Sequence, residues 1–247
     1  LIQPEVFSFM KSAFRNHFKK YMSLFLSLIL ILSLTGCESR QEKRYQNYVK
    51  SLIAINYLGA TEDYIKATGA NKADAEALYE ANAEYLADSI LSFYGIEISE
   101  APDMYLKYVE LAKSIYSKAN YKVSKAYKSG TQYFVDVTVY PMNVFVQTSS
   151  DVVAYVEHFN HEVANGAYNN YTMNEYETEF SSGMLDILMD GCMNMTYGEP
   201  VTITVTIITE DNTFYIGEHD FMAIDAAMIS TATIVEGGTA TDTDAEE

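Results

Sequence analysis

Hydrophobic positions along this chain recur in two rhythms, one helical and one of strands. Tyr45, Tyr48, Val49, Leu52, Ile53 and Asn56 fall at helical spacing, and Gly59 ends that run. Thr61 is placed to cap a short helix through Ala67, with Glu62 and Asp63 in its first turn and Gly69 behind it. A longer helix opens at Asn71 or Lys72 and reaches about Tyr94. Its apolar side is Ala75, Leu78, Tyr79, Tyr85, Leu86, Ile90 and Phe93, and Gly95 suits the left-handed residue that follows. Ser99 reads as the cap of the next helix, with Pro102 in its first turn. That helix extends to about Lys118 and buries Met104, Tyr108, Leu111, Ala112 and Ile115.

The period then shortens to two. Tyr121 to Tyr127 and Gln132 to Tyr140 read as a hairpin turning at Lys128-Ser129-Gly130-Thr131. Tyr133, Val135, Val137 and Val139 share one face; Phe134, Asp136, Thr138 and Tyr140 share the other. Pro141 closes the pairing. The same order returns. A helix starts at Ser149 or Ser150 and runs to about Asn165, with Val152, Tyr155, Val156, Phe159 and Val163 inward. Thr172 and Glu175 have capping-box spacing before a helix to about Met195, in which Gly183 and Gly191 permit close packing. Val201 to Ile208 is a strand with Val201, Ile203, Val205 and Ile207 inward. Phe214 to Glu218 returns it, and Asp220 is placed to cap a last helix through Ile229.

Helix–helix–hairpin thus occurs twice, over residues 71–140 and 149–218, as a weak internal repeat. Either hairpin alone lacks a buried face. Joined, they form a four-stranded antiparallel sheet covered by helices on one face, an α+β domain over residues 45–235. Residues 37–44 read as a short polar tether, and the small, acidic residues 236–247 as disordered.

The N-terminal segment carries the most specific motif. Lys11, Arg15, Lys19 and Lys20 precede an apolar run from Tyr21 to Leu34, and Leu34-Thr35-Gly36-Cys37 follows. Met10 is the expected start, leaving residues 1–9 outside the translated protein. The run of about 14 residues is short of the ~20 that span hydrocarbon. Basic region, apolar run and Leu-Thr-Gly-Cys resemble the lipobox of bacterial lipoproteins. That resemblance, which covers about residues 11–37, implies removal of residues 1–36, with Leu34, Thr35 and Gly36 read by the signal peptidase. It implies a diacylglyceryl group on Cys37, and hence an extracytoplasmic domain held on the cell membrane by a lipid anchor; two chains hold stably where one is marginal. The remainder is similar to small lipoproteins of Gram-positive bacteria, many of them α+β domains.

Charge narrows the partners. From Cys37 onward there are 12 basic and 33 acidic residues, a net charge of −21. Such a surface argues against nucleic acid, and against a polybasic grip on anionic lipid. With Cys37 acylated, Cys192 has no disulfide partner, and its helical spacing from Leu188 makes it a core residue.

Catalytic patterns are sparse. His158, His161 and Glu162 are neighbours on one helix and are the candidate metal ligands, but His-x-x-His-Glu is not the zincin order, and a solvated face accounts for them. His219 beside Asp220 reads as an exposed turn residue. No nucleophile elbow or phosphate-binding glycine loop occurs, and no cofactor is implied. Phe134, Asp136 and Tyr140, on the sheet face away from the valines, are the candidate ligand-binding residues; a cross-strand Lys122 or Lys125 would make Asp136 structural. The expected function is a binding or interaction module for an envelope glycan or protein. The alternatives are a cell-envelope hydrolase or accessory with an acidic cleft, and a small-ligand-binding domain like the nuclear-transport-factor-2-like fold.

Overall fold

A computed structural model describes residues 38–210 and 213–230. Eight helices and five strands lie among them: α1 (Glu38–Leu58), α2 (Thr61–Thr68), α3 (Lys72–Tyr94), α4 (Asp103–Tyr116), β1 (Asn120–Val123), β2 (Tyr127–Ser129), β3 (Gln132–Tyr140), α5 (Val144–Gln147), α6 (Ser149–Ala164), α7 (Met173–Met193), β4 (Val201–Glu210), β5 (Thr213–Ile216) and α8 (Glu218–Met228). The expected signal segment, the Leu34 to Cys37 motif and the acidic residues 236–247 lie outside the described residues.

The sheet is antiparallel and four strands wide, in the order β1-β3-β4-β5, with β2 sharing the β1 edge of β3. The two hairpins join through β3 and β4, where Val135 faces Val205 and Val137 faces Ile203. Among the described residues, helices pack on one face only. α1 lies against β1 and β3, α8 against β3 and β4; α2, α3 and α4 pack on α1, and α7 on α4. α1 is therefore enclosed, and every residue from Ser51 to Tyr57 is buried, as a helix surrounded by other elements requires. Its one buried amide, Asn56, is satisfied locally by donating to the Leu52 carbonyl at 2.7 Å, and its own carbonyl accepts from Asn82 at 2.6 Å.

Several local expectations hold. Asn71 caps α3 by accepting from the Asp74 N–H at 2.8 Å, and Gly95 ends it at φ 61°. Thr172 and Glu175 form the reciprocal capping box of α7. Others are corrected. Residues 38–44 are the first two turns of α1, not a tether: Gln41 accepts from the Tyr133 hydroxyl at 3.4 Å, and Glu42 pairs with Lys125 at 3.1 Å. Ser99 does not cap α4. It donates to Glu177 at 3.1 Å, and that buried carboxylate also takes the Glu100 N–H at 2.8 Å. Asp220 sits inside α8 and accepts the Thr206 N–H at 2.7 Å, just where β5 has ceased to pair with β4. Val201 is 45% exposed, because β4 begins beyond the helices' cover.

The first hairpin strand is broken. Val123 faces Val137 and Tyr127 faces Phe134, so three residues (124–126) oppose two (135 and 136). This is the arithmetic of a β-bulge, one unpaired residue that resets which way the next side chains point. Ser124 keeps its bonds to Asp136, Ala126 turns into the core, and Lys125 is the residue left over.

Candidate functional site

The face of the sheet away from the helices is built from alternate residues of β3 and β4. Phe134, Asp136, Thr138 and Tyr140 are half-buried there, beside the exposed Thr202 and Thr204. An uninterrupted strand from Tyr121 would turn Tyr127 toward the helices; the bulge brings it onto this open face, where its ring stacks on Phe134 at 5.9 Å between centroids. Asp136 accepts from the Thr204 hydroxyl at 2.7 Å and from the Tyr127 hydroxyl at 3.3 Å. Thr138 and Thr202 share a hydrogen bond of 2.9 Å.

Asp136 is thus held by hydroxyls and not by a lysine. Lys122 lies over the Tyr140 ring at 5.3 Å, its hydrogen bond to the Tyr140 hydroxyl raises the pKa of its ammonium, and Lys125 is engaged by Glu42. The arrangement offers two aromatic surfaces, Tyr127–Phe134 and Tyr140, on either side of a carboxylate and a row of threonines. It can stack on an apolar ring face and accept hydrogen bonds from its polar edge.

The other sequence candidates do not converge on this face. His158 and His161 are exposed on α6; His161 meets Glu162 at 3.5 Å and Asn165 at 3.0 Å. Among the described residues no group of three or more His, Cys, Asp or Glu side chains is placed to hold a metal ion. His219 is exposed, in the first turn of α8, with Asp220 at 3.6 Å. Cys192 is buried, and burial pushes its thiol up, away from the reactive thiolate. No helix among the described residues is long and apolar enough to cross a membrane.

Two features escaped the sequence reading. Tyr168 and Tyr171, in the connection between α6 and α7, complete a cluster with Tyr155, Phe159, Tyr176 and Phe180, and Phe159 stacks on Tyr168 at 4.7 Å. Loop tyrosines carry no periodicity, so no spacing marks them. The second is Asp225 on α8. Tyr57, fully buried in α1, donates to its carboxylate at 2.6 Å, and burial raises the Asp225 pKa. Burial and the Asp225 charge together raise the hydroxyls of Tyr57, Tyr85 and Tyr116. A lone acid in an amphipathic helix gives no sequence sign of being turned inward.

No family model matches the chain, and no curated protein matches it. Among solved structures it is similar to that of YcdA, a candidate lipoprotein of Bacillus subtilis. The TM-score is 0.52 at 17% identity, over 76% of this chain and 56% of YcdA. The chain therefore spans little more than half of that protein, and the likeness is one of fold.

Proposed function

We propose that the chain is a lipid-anchored extracytoplasmic binding module, attached through Cys37 and presenting the open face of its sheet to an envelope glycan. The observation that carries the binding role is the one-sidedness of the sheet: the helices pack on the Val135/Val205 face and leave the Phe134/Asp136/Tyr140 face half-open. A sugar ring has an apolar C–H face and a hydroxyl rim. The Tyr127–Phe134 stack and Tyr140 suit the first, while Asp136, Thr138, Thr202 and Thr204 suit the second. The anchor is supported by the basic region, the apolar run and Leu34-Thr35-Gly36-Cys37, and by a structural neighbour named as a candidate lipoprotein.

The test is co-sedimentation of the full chain with isolated cell-wall glycan. Phe134→Ala should weaken capture by about tenfold, the factor given by ~1.4 kcal/mol of lost aromatic contact. Asp136→Asn should weaken it too, whereas Leu106→Ala, at an exposed position on α4, should not. Equal sedimentation of all four proteins removes the binding face from consideration. Metabolic labelling with a fatty acid reads the anchor, and a Cys37→Ala variant that takes up label at the wild-type level overturns it.

A further inference from the structure

Charge is divided along this chain in a way its net value conceals. Residues 131–247 hold 20 acidic side chains and no Lys or Arg. Residues 37–130 hold all 12 basic residues that follow the signal segment, against 13 acids, and are nearly neutral. Five of the twelve gather around the first two turns of α1. Arg40, Lys43 and Arg44 belong to those turns. Lys125 reaches them through Glu42 at 3.1 Å. Lys128 lies over the Tyr133 ring at 5.6 Å, and Tyr133 in turn touches Gln41 and Tyr45 of α1. Arg40, Lys43, Lys125 and Lys128 are exposed; Arg44 is half-buried, over Phe214.

The sheet sorts the neighbouring charges. Lys128 is the register partner of Tyr133 and so faces the helices, as α1 does. Glu210, at the same end of the sheet, is the partner of Thr213 and points to the opposite face. Glu42 is matched by Lys125. The first seven residues of α1 hold three cations, Arg40, Lys43 and Arg44, against two acids, Glu38 and Glu42. With Lys125 and Lys128 beside them, cations outnumber acids at this end of the domain, which makes it a place to look for an external anion. α1 begins at Glu38, the residue after Cys37 in sequence, and Lys43 and Arg44 stand only about 8 Å along the helix from Glu38.

We infer that Arg40, Lys43, Arg44, Lys125 and Lys128 form a membrane-contact patch for the anionic headgroups of the leaflet that holds the acyl chains. This rests on the lipid-anchor reading above. The patch fixes the orientation of a domain whose acidic remainder the same membrane repels. It also revises the argument from net charge: repulsion from distant acids is screened beyond about a Debye length of ~8–10 Å, while the local patch lies within it.

The experiment takes the full chain from its host in whichever form it is processed. The protein is placed on vesicles of phosphatidylcholine alone, or mixed with phosphatidylglycerol, and labelled with a water-soluble amine reagent. Mass spectrometry then compares Lys43, Lys125 and Lys128 with Lys66, Lys72 and Lys107, which are exposed elsewhere on the same molecules. On the anionic vesicles the first three should label about five-fold more slowly, the factor set by the attraction of a basic residue near such a surface. High salt should abolish the difference, and the other three should not change. Equal rates on both vesicles overturn the patch. Fatty-acid incorporation at Cys37, read on the same preparation, separates the two failures: label with equal lysine rates sinks the patch alone, and slowed lysines without label sink the anchor alone.

Discussion

Gly191 stands where α7 passes the end of α5, and a Cβ there would lie 2.3 Å from Thr148 Cγ2. Thr148 cannot turn away at low cost: it is 3% exposed, and its hydroxyl donates to the Val144 carbonyl at 2.7 Å. Gln147 closes the same contact by donating to the Gly191 carbonyl at 2.6 Å. Gly191→Ala therefore sets two effects against each other. Helix propensity favours alanine by ~1 kcal/mol. Forcing a methyl into a filled contact costs about 1–3 kcal/mol. The expected outcome is a net loss of roughly 1 kcal/mol, within those two ranges. Thr148→Ser separates the effects, since it removes the methyl and keeps the hydroxyl. In that background Gly191→Ala should become neutral or stabilising by up to ~1 kcal/mol. Urea unfolding of the four proteins of this cycle measures the coupling. If Gly191→Ala has the same effect in both backgrounds, the glycine is not there to admit Thr148.

Two further substitutions test carboxylates held by hydrogen bonds, the buried Glu177 and the half-buried Asp225. Glu177→Gln turns an amide nitrogen toward the Ser99 hydroxyl or the Glu100 N–H, and should cost about 1–3 kcal/mol in urea unfolding; unchanged stability would show that this contact does not anchor the start of α4. Asp225 has a folded-state pKa above its unfolded one, so the native state keeps this proton longer, and stability falls as pH rises from the ordinary carboxylate range through the raised folded value. Asp225→Asn should remove that part of the slope, gaining on the wild type as pH rises; a stability difference that does not vary with pH refutes the assignment.

Most helix ends and both sheet faces were legible because their signals are local: Asn71, Gly95 and the Thr172–Glu175 box act within one turn. The period-two alternation of β3 likewise needs no partner to be seen. What escaped depends on contacts distant in sequence. The start of α1 is highly charged and docks through Gln41 and Glu42, so no apolar stripe announces it. Ser99 has the right identity for a cap, yet Glu177, far along the chain, claims its hydroxyl. At the candidate site the residues of the open face were predictable from alternation, whereas the hydroxyl partners of Asp136 follow from the β3–β4 register and the bulge.

That bulge bears on both proposed surfaces. It leaves Tyr127 on the open face and Lys128 on the helix side, and it aims Lys125, which has no strand partner, at Glu42. The consequence runs against the usual expectation for a deletion inside a hairpin. Removing Lys125 leaves Ser124 opposite Asp136 and Ala126 opposite Val135, so Tyr127 still meets Phe134 and Lys128 still meets Tyr133. The register and the facing of both side chains survive, and the loss is an ion pair whose Lys125 side is exposed and whose Glu42 side is half-buried, worth about 1 kcal/mol. The deletion variant should therefore fold, retain the stability of the parent to within that amount in urea unfolding, and bind cell-wall glycan as before. Its membrane patch should weaken, with Lys43 and Lys128 labelling faster on anionic vesicles than in the parent. A variant that unfolds, or loses glycan capture, would mean that the residue left over lies elsewhere, and that the two surfaces are not separable at this position.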